Sequence, residues 1–249
     1  MEWGQTRTTA PAGHPQTRRE PNEDGASDAW ASGEKNTCRP PPPPGSTVDG
    51  GLLVTGPCIL VDVTVNGGAT VTSTGHLELE RSTINGGITV LPGGELDSGH
   101  TMFSVVATGL PSTIHGGIDI TNGLDVDLIN ADVNGKVSVN GITIGLPVFC
   151  GSHFHGKVYL SNLTTFAEFG DPGEIVDIGT PPDCPGNTLD DSLFVTNSHI
   201  VEIEVNTITG SVHISDSTVE FAGNTLSSAH CDNVIPFTDG DGGIADCAR

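Results

Sequence analysis

The sequence predicts an all-β solenoid, a single-stranded, right-handed parallel β-helix, and three observations predict it. A short phrase recurs: Val65-Asn66-Gly67-Gly68-Ala69-Thr70-Val71, Ile84-Asn85-Gly86-Gly87-Ile88-Thr89-Val90 and Ile114-His115-Gly116-Gly117-Ile118-Asp119-Ile120. With the first Gly of each phrase as position zero, further copies fall at Gly135, Gly156 and Gly210, and the steps are 19, 30, 19, 21 and 54 residues. The residues two before zero (Val65, Ile84, Ile114, Val133, Phe154, Ile208), two after and four after are all apolar, with polar or amphipathic residues between them. Period two is the signature of a strand with one buried face. A recurrent step near 20 is a coil that cannot bury its own apolar face, so coils of about 19–21 residues stack and share one core.

Taken in order, residues 1–49 are rich in Gly, Pro, Ser and Thr without periodicity and are expected to be a disordered arm. It ends in the run Pro40 to Pro44, a polyproline II spacer. The solenoid is expected over 50–249. The 30-residue step between Gly86 and Gly116 leaves room for an additional partial coil around Leu91-Pro92-Gly93-Gly94 and Thr108-Gly109. The 54-residue step contains a segment rich in Pro, Gly and Asp, read as a loop inserted at about 161–192. Residues 227–249, with Asp239-Gly240-Asp241-Gly242-Gly243 leading to Cys247, are read as a cap over the open end of the core. The Asn and Gly at each corner are read as architecture: Gly and Asn accept a left-handed turn most readily, and stacked Asn side chains can form a ladder.

Charge and cysteine usage narrow the function classes. The formal charge is −22, and after residue 50 the cations are only Arg81, Lys136, Lys157 and Arg249. Such a surface repels phosphate backbones, which excludes nucleic acid as a partner. No stretch is apolar enough for a membrane span. Six cysteines without a C-x-x-C pair lack zinc-site spacing and favour disulfides, with Cys38–Cys58, Cys150–Cys184 and Cys231–Cys247 as the expected pairs. That places the protein outside the cell or on its surface. No apolar signal-type stretch is visible at the N-terminus, so the options are an upstream start, another export route or free thiols.

Candidate chemistry is sparse. Eight residues before zero lie Glu78, Asp127 and Glu202, an outward column in which carboxylates about 4.8 Å apart repel unless bridged, and oxygen donors suit Ca²⁺. The same count gives Thr108 on the intervening rung. His153 and His155 flank an inward Phe154 and, with Lys157, Asp190 and Asp191, make the nearest approach to an acid/base set, of the kind that could serve glycoside cleavage. Apart from Ca²⁺, no cofactor is expected.

The repeated corners, the first coil Gly56-Pro57-Cys58-Ile59-Leu60 and the Cys-containing coil Ser227 to Asn233 resemble bacterial right-handed β-helix proteins of the secreted type. The short rungs also look like bactofilins, and the architecture is similar to pectate-lyase-like enzymes. These resemblances imply, respectively, a surface-structural or adhesive role, a polymer-forming scaffold, and a carbohydrate substrate. The leading expectation is a non-enzymatic, exported, monomeric β-helix that contacts polysaccharide or another cell-surface component. The alternatives are a polysaccharide-active enzyme and a polymerising scaffold.

Overall fold

The computed structural model describes residues 36–99, 110–142, 144–165, 167–169, 185–199, 201–236 and 244–248. They form a parallel β-solenoid of about 9 turns. One side is a nine-stranded sheet running from Pro57–Val61 to Ile235–Pro236. A seventeen-stranded sheet makes the other two sides, with short strands such as Thr64–Val65 before the repeated corner and strands such as Ala69–Val71 after it. Among the described residues the strand pairs are parallel, coil on coil, as where Val65 meets Ile84 and Val71 meets Val90, with one register shift between Ile208 and Ser211. No helix among the described residues is long and apolar enough to cross a membrane.

The apolar positions of the repeat line the core: Val65, Ile84, Ile114, Val133 and Phe154 are 0 % exposed and Ile208 1 %. Stacking such residues removes them from water at about 25 cal/mol per Å². In the middle coils the core turns aromatic, with Phe149, Phe154 and Phe169 rings 5.3–6.4 Å apart.

At the repeated corner, glycine is required for a different reason than expected. Apart from Gly50 and Gly51 of the first coil, the corner glycines do not occupy the left-handed region. They lie under one another, so a Cβ on Gly67 would stand 2.6 Å from Gly51 N and one on Gly86 2.5 Å from Gly68 N. The left-handed residues sit instead at other turns, among them Asp62, Arg81, Asn130 and Val205.

A second ladder runs inside the turn that follows the nine-stranded sheet. Asn187 Nδ2 donates to Asn206 Oδ1 at 3.0 Å, and Asn206 Nδ2 to Asn224 Oδ1 at 3.0 Å. Asn224 Nδ2 donates to Asp246 Oδ2 at 3.1 Å. Asp246 is 0 % exposed and belongs to the short 3-10 helix Ala245–Ala248, so the ladder ends on the cap.

Two disulfides tie the ends: Cys38–Cys58 at the first coil and Cys231–Cys247 at the last. Cys150 is 1 % exposed, and its expected partner Cys184 lies outside the described residues.

Several boundaries differ from the sequence reading. The solenoid begins within the expected arm: Asn36–Thr37 pairs with Leu52–Leu53 and Thr47–Val48 with Thr64–Val65. Composition hid these strands because they flank the proline run. Residues 1–35 of the arm lie outside the described residues. Between Gly86 and Gly116, Glu95–Ser98 stacks between His76–Glu80 and Asp125–Ile129 as part of the regular coil, and Thr108 and Gly109, where an additional partial coil was expected, lie outside the described residues. The expected loop at 161–192 also contains coil: Ala167–Phe169 pairs with Val148–Phe149 and with Val201–Ile203, and Thr188–Leu189 pairs with His153–Phe154. Thr225–Asp232 likewise continues the stack into the expected cap.

Candidate functional site

The side before the repeated corner carries two outward columns. The first runs Thr47, Thr64, Thr83, Thr113, Asp132, His153, Thr188, Thr207 and Thr225. The second, two residues on, is the corner column, where backbone bonds such as Asn85 N to Val65 O and His155 N to Val133 O hold the coils together. On the early coils it is an asparagine ladder that ends on a carboxylate: Asn66 Nδ2 donates to Asp49 Oδ1 at 2.6 Å, and Asn85 Nδ2 to Asn66 Oδ1 at 2.8 Å. On the middle coils both columns change, one coil out of step: the first to Asp132 and His153, the second, which still holds Asn134 beside Asp132, to His155 and Asp190.

This change brings four chemically active side chains together. A carboxylate only accepts, so His155 Nδ1 carries a proton and donates to Asp190 Oδ2 at 2.6 Å. The other edge of the same ring, Nε2, lies 3.2 Å from Asp132 Oδ1. His153 Nε2 lies 3.1 Å from Asp190 Oδ1, an ion-pair distance at an angle that makes no hydrogen bond. The two imidazole centroids are 3.9 Å apart. Contacts from His153 and His155 hold the Asp190 carboxyl below the usual carboxylate range. Beneath them Phe154, 0 % exposed, packs on Phe149 and Phe169 and fixes the strand His153–Phe154.

Of the five residues expected to form an acid/base set, His153, His155 and Asp190 converge. Asp191 and Lys157 have other partners: Asp191 Oδ1 accepts from its neighbour Ser192 N at 2.7 Å, and Lys157 Nζ lies 5.9 Å from the Phe194 ring centroid. Asp132 is the member that the sequence reading missed. Counting three residues back from zero gives Thr64, Thr83, Thr113, Asp132, His153 and Thr207, which would have placed it beside His153.

The chain matches no family model, no curated protein and no solved structure. The reading of the site therefore rests on its geometry.

The acidic column on the nine-stranded sheet is rearranged relative to expectation. Asp97, not Thr108, stands between Glu78 and Asp127, because the 30-residue step between Gly86 and Gly116 shifts the count; Thr108 itself lies outside the described residues. Beyond Asp127 the column continues through Val148 and Glu168 to Glu202. Glu202 is thus three coils from Asp127, about 14 Å at the ordinary strand spacing, and one ion cannot bridge Glu78, Asp127 and Glu202 together. His76 supplies the local counter-charge, with Nε2 2.7 Å from Asp97 Oδ2 and Nδ1 3.2 Å from Glu95 Oε2. Its hydrogen bond to Asp97 raises the His76 pKa against the opposing effect of burial. Nearby, burial pushes the Asp125 carboxyl up, with Asp97 and Glu95 adding to it.

After the corner, an outward aromatic stack replaces the small residues of the early coils. Tyr159 and Phe194 are 4.7 Å apart at 9°, and Phe194 and His213 4.9 Å apart at 5°. The opposed ring faces are turned to one another, and Lys136 Nζ lies 5.7 Å from the Tyr159 centroid. On the early coils the same side holds a shallow groove of about 250 Å³ floored by Gly50, Gly51, Gly68 and Gly87.

Proposed function

We propose that the protein is a non-enzymatic, exported β-solenoid that acts as a rigid surface component and contacts polysaccharide or another cell-surface molecule along its outer columns. The observation that carries this reading is the pair of disulfides closing the two ends of the stack, Cys38–Cys58 and Cys231–Cys247. Such bonds persist in oxidising compartments. The cap supports a monomer over an end-to-end polymer: a terminal coil covered by Ala245–Ala248 offers less free edge to another copy.

One observation favours a polysaccharide-active enzyme as a second reading, the contact of His155 with Asp190. Against it, glycoside cleavage needs a carboxyl that stays protonated as general acid, and Asp190 is shifted the opposite way.

Thiol titration of the native protein purified from culture medium tests the first reading. The expected result is no reactive thiol until reductant is added; six free thiols in native protein would overturn it. Release of reducing ends or unsaturated sugars from a polysaccharide panel would transfer support to the enzyme reading.

A further inference from the structure

We propose that Asp132, His153 and His155 bind one divalent first-row transition metal ion, with Asp190 orienting the His155 imidazole. Register sets Asp132 directly opposite His153 on adjacent coils. His155 is two residues further along the same strand direction and so faces the same way. One donor atom from each of the three lies within 4.8 Å of the others. Asp132 Oδ1 and His155 Nε2 are 3.2 Å apart, close to the edge of about 3.3 Å between tetrahedral donors at metal–ligand distances of about 2.0 Å.

The surroundings match what a metal-binding histidine needs. With its Nδ1 proton on Asp190, His155 turns Nε2 toward Asp132, where the neutral ring would offer its lone pair to a metal ion. A carboxylate behind the imidazole fixes the tautomer and ring orientation and raises ligand basicity. Asp190 serves the His155 ring in this way, and its other oxygen lies 3.1 Å from His153 Nε2. Phe154, buried beneath them, holds the strand rigid.

Two imidazoles and one carboxylate select Zn²⁺, Co²⁺, Ni²⁺ or Cu²⁺ over Ca²⁺ and Mg²⁺, which take oxygen donors. Three protein ligands leave a coordination position for water or an exogenous donor. The formal charge of −22 raises the local cation concentration. The site is independent of the scaffold reading, because a rod can hold or lack a metal.

Calorimetric titration of the chelator-treated full-length protein with ZnCl₂, and with CoCl₂ followed by visible absorption, tests the proposal. The informative variant is His155→Asn, since Asn occupies the equivalent corner at positions 66, 85 and 134 and preserves the fold. The expected result is one saturable site that His155→Asn and Asp132→Asn each weaken by at least about tenfold, and Asp190→Asn by about ten- to hundredfold. His213→Ala, on another side, is expected to leave the affinity unchanged, and excess CaCl₂ is expected not to compete. Absence of saturable binding, or equal affinity in folded His155→Asn and wild-type protein, would overturn it. So would loss of binding in His213→Ala alone.

Discussion

The corner at Asn66 and Asn85 and the corner at His155 and Asp190 share one backbone and hold their coils together by different chemistry. The first is an asparagine ladder in which each side chain donates to the coil before it, ending on the Asp49 carboxylate. The second is a charged cluster in which one carboxylate lies at ion-pair distance from two imidazoles and a second carboxylate faces one of them. The outward position is therefore open to exchange, because solvent takes up whatever the neighbouring coil does not. The inward position is not: under both corners lies a fully buried apolar residue, Ile84 in one and Phe154 in the other.

The largest effects are expected where the two corners rest on the core. Phe154→Ala should cost about 3–5 kcal/mol, and Ile84→Val under the asparagine corner only about 1 kcal/mol, by urea unfolding. Equal costs would show that the charged corner does not depend on its aromatic support. Next in size is the contrast between inner and outer ladders. Asn206→Ala removes the acceptor for Asn187 N and the donor to Phe169 O, both buried, and should cost about 2–4 kcal/mol. Asn85→Ala on the exposed ladder should cost about 1 kcal/mol or less, by the same measurement. A smaller gain is expected at Val205, a β-branched residue with a φ of 48°. Val205→Asn should stabilise by about 1 kcal/mol, read as a raised Tm; a lowered Tm would contradict it.

The smallest effects are in pH dependence, and they have opposite signs on the two acidic faces. The Asp190 pKa lies below the ordinary value of 3.8, so its contribution is present above that pH and is lost as pH falls through the lower folded-state value. The His76 pKa lies above 6.5, so its contribution is full below that pH and is lost as pH rises through the raised folded-state value. Urea midpoints across pH should therefore show Asp190→Asn flattening the acid limb and His76→Gln the alkaline limb; the reverse assignment would contradict both.

The solenoid was legible because its signal is periodic and long: burial at two before and two and four after zero needs only the alternation of Val65, Ala69 and Val71 and its copies. Boundaries were less legible where a coil lacks the glycine. Asp191 occupies the corner position between Gly156 and Gly210, as the pairing of Val158 with Leu193 and of Leu193 with Val212 shows, so the strand Thr188–Leu189 just before it read as loop. The same gap hid Phe194, which completes the stack from Tyr159 to His213. His153, His155 and Asp190 stood out by residue type, but their proximity depends on a coil-to-coil register that an intervening insertion obscures. Asp132 carried no local signal, because a single Asp in a strand becomes informative only when set against the threonines above and below it. The buried ladder of Asn187, Asn206 and Asn224 was missed because asparagine at a turn normally faces solvent.

The central claim is that the outer ladder of hydrogen-bonded corner side chains gives way on the middle coils to a metal-binding cluster. The most direct measurement is anomalous diffraction from crystals grown with Zn²⁺, with data collected on both sides of the zinc absorption edge. The expected map holds a peak about 2.0–2.1 Å from His155 Nε2 and Asp132 Oδ1 and within bonding distance of a His153 ring nitrogen. A map in which all three side chains are ordered and no anomalous peak lies among them would contradict it.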